Sequence, residues 1–401
     1  MRIAVVAMFV SPYKGSERSV AWNYIKNMSK DHQLTIYYSK DEEDINSFDF
    51  KANDINANFI CMHLDEEIGS NYISHRYLKM KNWNKWHKKV RDKIDSEKEN
   101  YDLIHYIGPI GFMVPGYLHE IDLPYIWGPI SGVHVWPKFF LKIKKKEVYL
   151  EYFGRYMMYV YLLLNKSVRR AMKNSDTIIS ATPETQYQIK KFYNRDSIVL
   201  PENGINEMEV NQIIDKNNGL NIFFNGGSDY RKGLFILLDS LAKVKTDYIL
   251  HVLGESDDNI KEYALQKNIK NIHWHGLVLR EEAQNIMSIC SLNVITAASE
   301  GNPTIIWESM SKGIPTLTLD HCGMSNVICD ECGIKIPVKS YNEIIEDIAN
   351  HIDDLNKNKS KIQMLSQGTL NCSKKFLWNN RIKILNDLYI KTIKIHQKNN
   401  S

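Results

Sequence analysis

The chain has 401 residues, of which 43% are hydrophobic and 24% charged, with a formal net charge of +4. That length is more than one ordinary core fills, so two domains are expected, and the composition is that of a globular protein. So small a net charge argues against the concentrated basic face of a nucleic-acid binder. No stretch reaches the ~20 apolar residues that span a bilayer; residues 157–164 come nearest, and Arg155 and Lys166 flank them.

Residues 3–10 are continuously apolar, which predicts a strand buried on both faces, as in a parallel sheet. The run is too short for a signal peptide and no cleavage site follows. Residues 11–16 form a loop, residues 17–28 have helical spacing, and residues 34–38 read as a second strand. Ligands of open parallel sheets bind beyond the carboxyl ends of strands, so Gly15 and Ser16 either approach a ligand or form a plain turn. Residues 40–70 are acidic and without pattern. Strands are expected at 103–107, 124–127, 177–180 and 197–200, and a polar connection near 200–220 marks the domain boundary. The second half repeats the rhythm, with strands at 221–225, 248–253, 272–274, 292–296 and 316–319 and helices at 234–244, 281–290 and 377–395. Both halves therefore read as doubly wound α/β units.

Two clusters carry chemistry. In residues 299–313, Asn302 suits a helix N-cap, Pro303 the first helical position and Gly313 the glycine that ends the helix. The amides of Thr304 and Ile305 would then point at an anion, with Glu300 and Glu308 on either side to accept bonds from hydroxyls. Such a site fits a ligand carrying both phosphate and sugar. The second cluster is Gly226-Gly227 followed by Arg231-Lys232. Glycines let backbone approach a phosphate, and adjacent cations neutralise a diphosphate, although the pair could also be an ordinary surface pair. The pattern is neither a P-loop nor a dinucleotide-binding Gly-x-Gly-x-x-Gly. No nucleophile elbow or metalloprotease motif is present, and Asp257-Asp258 reads as a turn. His321, Cys322, Cys329 and Cys332 admit a zinc reading, but without a second close pair an ordinary strand, loop and turn is the expectation, with all six cysteines reduced.

Basic residues interleaved with aromatics fill residues 74–93, and a second basic cluster spans 138–146. Residues 152–172 are rich in aromatics and leucine. These are either solvated helix faces with core aromatics or a surface resting on an anionic membrane.

Glu300 and Glu308, with seven residues between them, match the acid pair of the retaining GT-B glycosyltransferases of family 4. Arg231-Lys232-Gly233 resembles that family's phosphate-binding step. Residues 201–205 resemble its Pro-Asn-Gly-Val segment, with Glu202 inserted. Gly15-Ser16-Glu17 with Trp22 resembles its first glycine-rich loop, and residues 127–132 its acceptor-side loop, with Ser131 for a glycine. The resemblance implies an α/β GT-B fold: two Rossmann-like domains facing across a cleft, with the last helix crossing back. It places an acceptor-binding domain at 1–205, joined by the returning helix 377–396, and a donor-binding domain at 206–376.

The implied activity is transfer of a sugar from a nucleotide diphosphate sugar to a glycan or glycolipid acceptor, with no bound metal or resident cofactor. By position, Arg231 and Lys232 would hold the diphosphate, Glu308 the ribose, and Glu300 the sugar. Gly226 and Gly227 would approach the phosphates, and Gly301, Asn302, Pro303, Thr304 and Ile305 would meet sugar and phosphate. Gly254, His275 and Val278 would line the nucleotide pocket, Gly15 and Ser16 would close over the diphosphate, and His134 is the candidate acceptor-side histidine. The implied setting is bacterial surface-glycan synthesis in the cytoplasm, at the inner face of the membrane. A nucleotide-sugar epimerase and a non-catalytic nucleotide-sugar binder stand as alternatives.

Overall fold

The structure, a computed structural model, describes residues 1–12, 17–39, 55–63, 72–209, 219–269 and 271–400. Gly15 and Ser16 lie outside the described residues, as do the side chains of residues 72–79 in the first basic cluster. The chain divides into two units: Met1–Val133, Met158–Asn203 and Trp378–Ser401 form the first, and His134–Met157 with Gly204–Leu377 the second.

The first unit holds β1 (Arg2–Ala7), β2 (Gln33–Tyr38), β3 (Ala57–Cys61), β4 (Leu103–Gly108), β5 (Tyr125–Ile130), β6 (Thr177–Ser180) and β7 (Ile198–Val199). They form a parallel sheet in the order β3-β2-β1-β4-β5-β6-β7. The central strand-forming runs are mostly apolar because both faces are covered. Ile3 and Val5 pack with Tyr24, Ile25 and the C-terminal helix Trp378–Asn400, whereas Ala4, Val6 and Trp127 pack with Trp86, Val90 and Met172. β3 falls in the stretch that sequence reading left without pattern. It is an edge strand with only partly covered residues, so it lacks the unbroken apolar run of a central strand.

A buried polar knot ties the returning helix to this sheet. The Nδ1 atom of His105 on β4 lies 2.9 Å from the Tyr24 hydroxyl and 3.0 Å from the Tyr389 hydroxyl, and its Nε2 donates to the Gly128 carbonyl at 2.8 Å. His105 is thus a buried packing residue of the sheet. The loop after β5 is held by a helix, Pro183–Tyr193. Gly132 N donates to Thr185 Oγ1 and Val133 N to Gln188 Oε1.

The second unit holds β8 (Leu220–Asn225), β9 (Tyr248–Leu253), β10 (Ile272–Gly276), β11 (Leu292–Ile295), β12 (Thr316–Leu319) and β13 (Gly333–Ile336). They too form a parallel sheet, in the order β10-β9-β8-β11-β12-β13. Residues 134–157 bring Trp136, Phe139, Phe140 and Val148 into its core, beside Leu234, Ile236 and Leu238. Strand order reverses between β8 and β11, and the crevice at such a switch point is where doubly wound sheets take ligands. Both chemistry-bearing stretches leave these two strands.

Candidate functional site

β8 ends at Asn225, and the turn after it needs glycine. Gly226 (φ 150°) and Gly227 (φ 52°) have backbone angles that side-chain-bearing residues rarely adopt. A Cβ on Gly227 would sit 1.9 Å from the Glu255 carbonyl oxygen. Asp229 then caps a short 3-10 turn, Tyr230–Lys232, by accepting from Arg231 N at 2.9 Å. Gly233 (φ 74°) ends that turn and begins the helix Leu234–Leu241. Thr296 Oγ1 donates to the Gly233 carbonyl at 2.8 Å, and Ala298 N donates to the Arg231 carbonyl at 2.7 Å. The turn after β8 is therefore sewn to the stretch leaving β11.

Those bonds bring three of the expected residues together. Glu300 Oε1 accepts from both Arg231 Nη1 and Lys232 Nζ, the latter at 2.6 Å. Asp229 Oδ2 lies 3.3 Å from Arg231 Nη2. Two cations and two carboxylates thus balance in charge. The Glu300 carboxylate is largely shielded, at 14% exposure, which strengthens its attraction to the cations.

The helix after this loop runs Thr304–Ser311 and differs from expectation at its start. Pro303, not Asn302, is the N-cap, and no side chain caps the first turn. Pro303 has extended ψ (129°), so the helix begins one residue later than the proline-first pattern implies. Gly313 (φ 72°) ends the helix as expected. Glu308 projects from it and pairs with Arg280 at 3.2 Å. Burial raises the Glu308 pKa, and Arg280 opposes that rise. The helix is anchored underneath by Asn293 on β11, whose amide reaches Ser309 Oγ at 3.3 Å and Thr316 Oγ1 at 3.2 Å.

Several supporting residues escaped sequence reading. His321 and Cys322 belong to this site rather than to a zinc quartet. His321 Nε2 lies 2.7 Å from the Ala298 carbonyl oxygen and 2.8 Å from Cys322 Sγ. Gly323 N donates to the Glu300 carbonyl at 3.1 Å, and a Cβ on Gly323 would lie 1.2 Å from the Gly301 carbonyl oxygen. Cys329 meets Cys332 (3.2 Å) and Cys372 (2.7 Å) instead. Arg155 donates to the Ser299 hydroxyl (3.0 Å) and to the His134 carbonyl (3.1 Å), and it pairs with Glu151 at 2.8 Å. His134 is buried, with its backbone held by the arginine that holds Ser299, next to Glu300. Beside Arg231 opens a cavity of about 370 Å³ lined by Trp136, Glu151, Arg155 and Tyr230. The bonds of Arg155 to His134 and Ser299 have no local signature, because those partners lie 21 and 144 residues away.

Gly254 N donates to the Gly276 carbonyl at 2.8 Å, so the ends of β9 and β10 are pinned together. His275 Nε2 lies 3.1 Å from His251 Nδ1, and the rings of His251, His273 and His275 stack. Burial chiefly depresses the pKa of His251, to about 4, and also lowers that of His275. Val278 packs against the core around Met287 and Trp307.

Two parallel-sheet units, with a glycine turn and a carboxylate clamped by Arg and Lys at the switch point of the second, describe the GT-B fold. Residues 207–369 match the family of Glycosyl transferases group 1. A 93-residue stretch is 28% identical to the lipopolysaccharide 1,6-galactosyltransferase of Salmonella typhimurium. That match covers 21% of this chain and about a quarter (25%) of that enzyme. The fold is shared with sucrose-phosphate synthase from Thermosynechococcus elongatus (TM-score 0.71, 15% identity, 97% of this chain and 98% of that one). It is also shared with Anabaena HepE in complex with UDP and glucose (TM-score 0.63, 15% identity, 97% and 99%).

Proposed function

We propose that the chain is a glycosyltransferase of the retaining, family 4 type. It moves a sugar from a nucleotide diphosphate donor to a lipid-linked glycan acceptor in bacterial surface polysaccharide synthesis, at the cytoplasmic face of the membrane. The observation that carries this reading is the Glu300 carboxylate shared by Arg231 and Lys232 where β8 and β11 part. A diphosphate entering there meets two fixed cations, a glycine turn and a helix start without a side-chain cap. The name of the Salmonella relative supports a lipopolysaccharide setting, and the UDP and glucose bound to HepE support a nucleotide-sugar donor.

In this reading Arg231 and Lys232 bind the diphosphate and stabilise the charge that develops as it leaves. Because both cations are supplied by side chains, the reaction needs no resident metal or cofactor. Glu308 accepts from the ribose, and Glu300, released from the cations by the incoming diphosphate, turns to the donor sugar. Gly254, His275 and Val278 line the base pocket. His134 stands on the acceptor side. Residues 1–205 with the returning helix bind acceptor and residues 206–376 bind donor, with residues 134–157 packed into the donor-binding unit's core.

Lys232→Ala should lower transfer by about 10²–10³-fold without altering the fold. The measurements are turnover with UDP-sugars and circular dichroism, and a fully active variant would sink the assignment. Proton NMR of the product should show the anomeric configuration of the donor. Incubation with donor alone separates transfer from epimerisation, because only an epimerase converts the donor sugar.

A further inference from the structure

Three of the six cysteines converge within the second unit. Cys329 and Cys332 lie in the turn between the helix Cys322–Val327 and β13, and Cys372 sits in the last turn of the helix Lys359–Ser373. Cys329 Sγ is 3.2 Å from Cys332 Sγ and 2.7 Å from Cys372 Sγ, and all three sulfurs lie within 4.8 Å of one another. Cys332 and Cys372 are buried, and Cys329 is partly open to solvent.

The backbone around the sulfurs suits thiolates. Cys329 N donates to Cys332 Sγ at 3.0 Å, and the N–H groups of Glu331 and Cys332 bond to Cys329 Sγ. A thiol is a weak acceptor, so amides aimed at both sulfurs favour the charged form. The helix that brings Cys372 is seated against this turn. Thr369 Oγ1 donates to the Cys332 carbonyl at 3.0 Å, and Gly368 gives passage to the Glu331 carbonyl oxygen, which would lie 1.8 Å from a Cβ there.

We propose that Cys329, Cys332 and Cys372 form a structural metal site for one thiophilic d10 cation, zinc. The two-residue spacing of Cys329 and Cys332 is that of metal-binding pairs, and an all-sulfur set selects a soft ion. Solvent on the open side of Cys329 supplies the fourth zinc ligand. Three thiolates on a divalent ion leave one negative charge, which neighbouring Lys375 offsets. A disulfide is the competing use of these atoms. It would take two sulfurs and strand the third, and redox pairs draw reactivity from a helix N-terminus, whereas this pair leads into a strand. The ion would join two supports of the candidate site. Gly323 N, on the helix entering the turn, donates to the Glu300 carbonyl, and Ser373 Oγ, beside Cys372, donates to the Met310 carbonyl at 2.8 Å. The role is structural and stands apart from the glycosyl-transfer reading.

The test uses the full chain, reduced and stripped of metal, titrated without air with Co²⁺ and with Zn²⁺. One ion per chain should bind, with a thiolate-to-cobalt charge-transfer band and a higher melting temperature in zinc. Cys329→Ser and Cys372→Ser should each weaken zinc binding by about 100-fold, while Cys61→Ser and Cys322→Ser leave it unchanged. Without metal, Cys329→Ser should melt where the stripped wild type does, which separates a lost ligand from a lost fold. A wild type that binds no ion overturns the proposal. So does a Cys322→Ser variant that loses the ion, because the ion would then sit at His321 and Cys322. A disulfide among the three cysteines in air, with no cobalt band after reduction, would identify a redox pair and overturn it as well.

Discussion

At the scale of single residues, the proposed site is a competition for two cations. Arg231 and Lys232 are both paired with Glu300. A diphosphate must take them over, so part of its binding energy replaces contacts already made. Glu300→Gln should therefore bind UDP more tightly, by about three- to tenfold in calorimetry, while transfer falls. Weaker UDP binding would show that Glu300 does not compete with phosphate. Glu308 makes a different prediction. If it accepts from the ribose, Glu308→Gln should raise the donor KM about tenfold and leave kcat nearly unchanged. Its raised pKa also sets a sign: as pH falls through it, the carboxylate protonates and donor affinity should drop, a dependence absent in the Gln variant.

At the scale of elements, tight backbone passages hold these residues in place. Gly227→Ala combines φ 52° with a contact 1.9 Å from the Glu255 carbonyl oxygen, so it should cost about 1–3 kcal/mol in denaturant unfolding and displace Arg231 and Lys232. An unchanged midpoint would count against that account. In the first unit, His105 and His87 are buried and kept neutral, with pKa values near 3 against an ordinary 6.5. The unfolded chain takes up protons below about pH 6.5 that the folded chain refuses, so stability should fall as pH drops from 6.5 toward about 3. Each histidine contributes at most ~1.4 kcal/mol per pH unit. Urea melts at pH 7 and pH 5 measure this, and His105→Gln should flatten the dependence. The Gln variant will also lose stability at pH 7, because one side chain cannot replace both the Gly128 bond and the Tyr24–Tyr389 contact.

For the whole molecule, neither core is built from one continuous stretch. The second unit draws Trp136, Phe139, Phe140 and Val148 from residues 134–157, and the first draws Trp378, Leu385, Leu388 and Tyr389 from the C-terminal helix. Burying one large apolar side chain stabilises by about 1.5–3 kcal/mol, against a typical total of about 5–15 kcal/mol. Four such losses are enough to unfold a unit. A fragment of residues 204–377, or the chain cut after residue 377, should accordingly be insoluble or bind a hydrophobic dye. A cooperative melt from either fragment, near the wild-type temperature, would contradict this account of the core.

Much was legible in the residues themselves, for local reasons. Central parallel strands are covered on both faces, so β1 appears as an unbroken apolar run and β4, β6 and β9 as mostly apolar ones. Phosphate chemistry also leaves short-range marks: Gly226-Gly227 before Arg231-Lys232, and Glu300 before a proline-led helix, each within a dozen residues. Edge strands are half-covered, so β3 had no such mark. The helix start shifted from Asn302 to Pro303 because backbone angles at the loop's end, not residue preference, set it. The contacts that complete the site are decided by topology. Parallel pairing of β8 with β11 sets Lys232 against Glu300 across 68 residues, and Arg155 reaches Ser299 across 144. A sequence records which side chains are charged and which stretches are buried. Only the folded chain determines which charges meet.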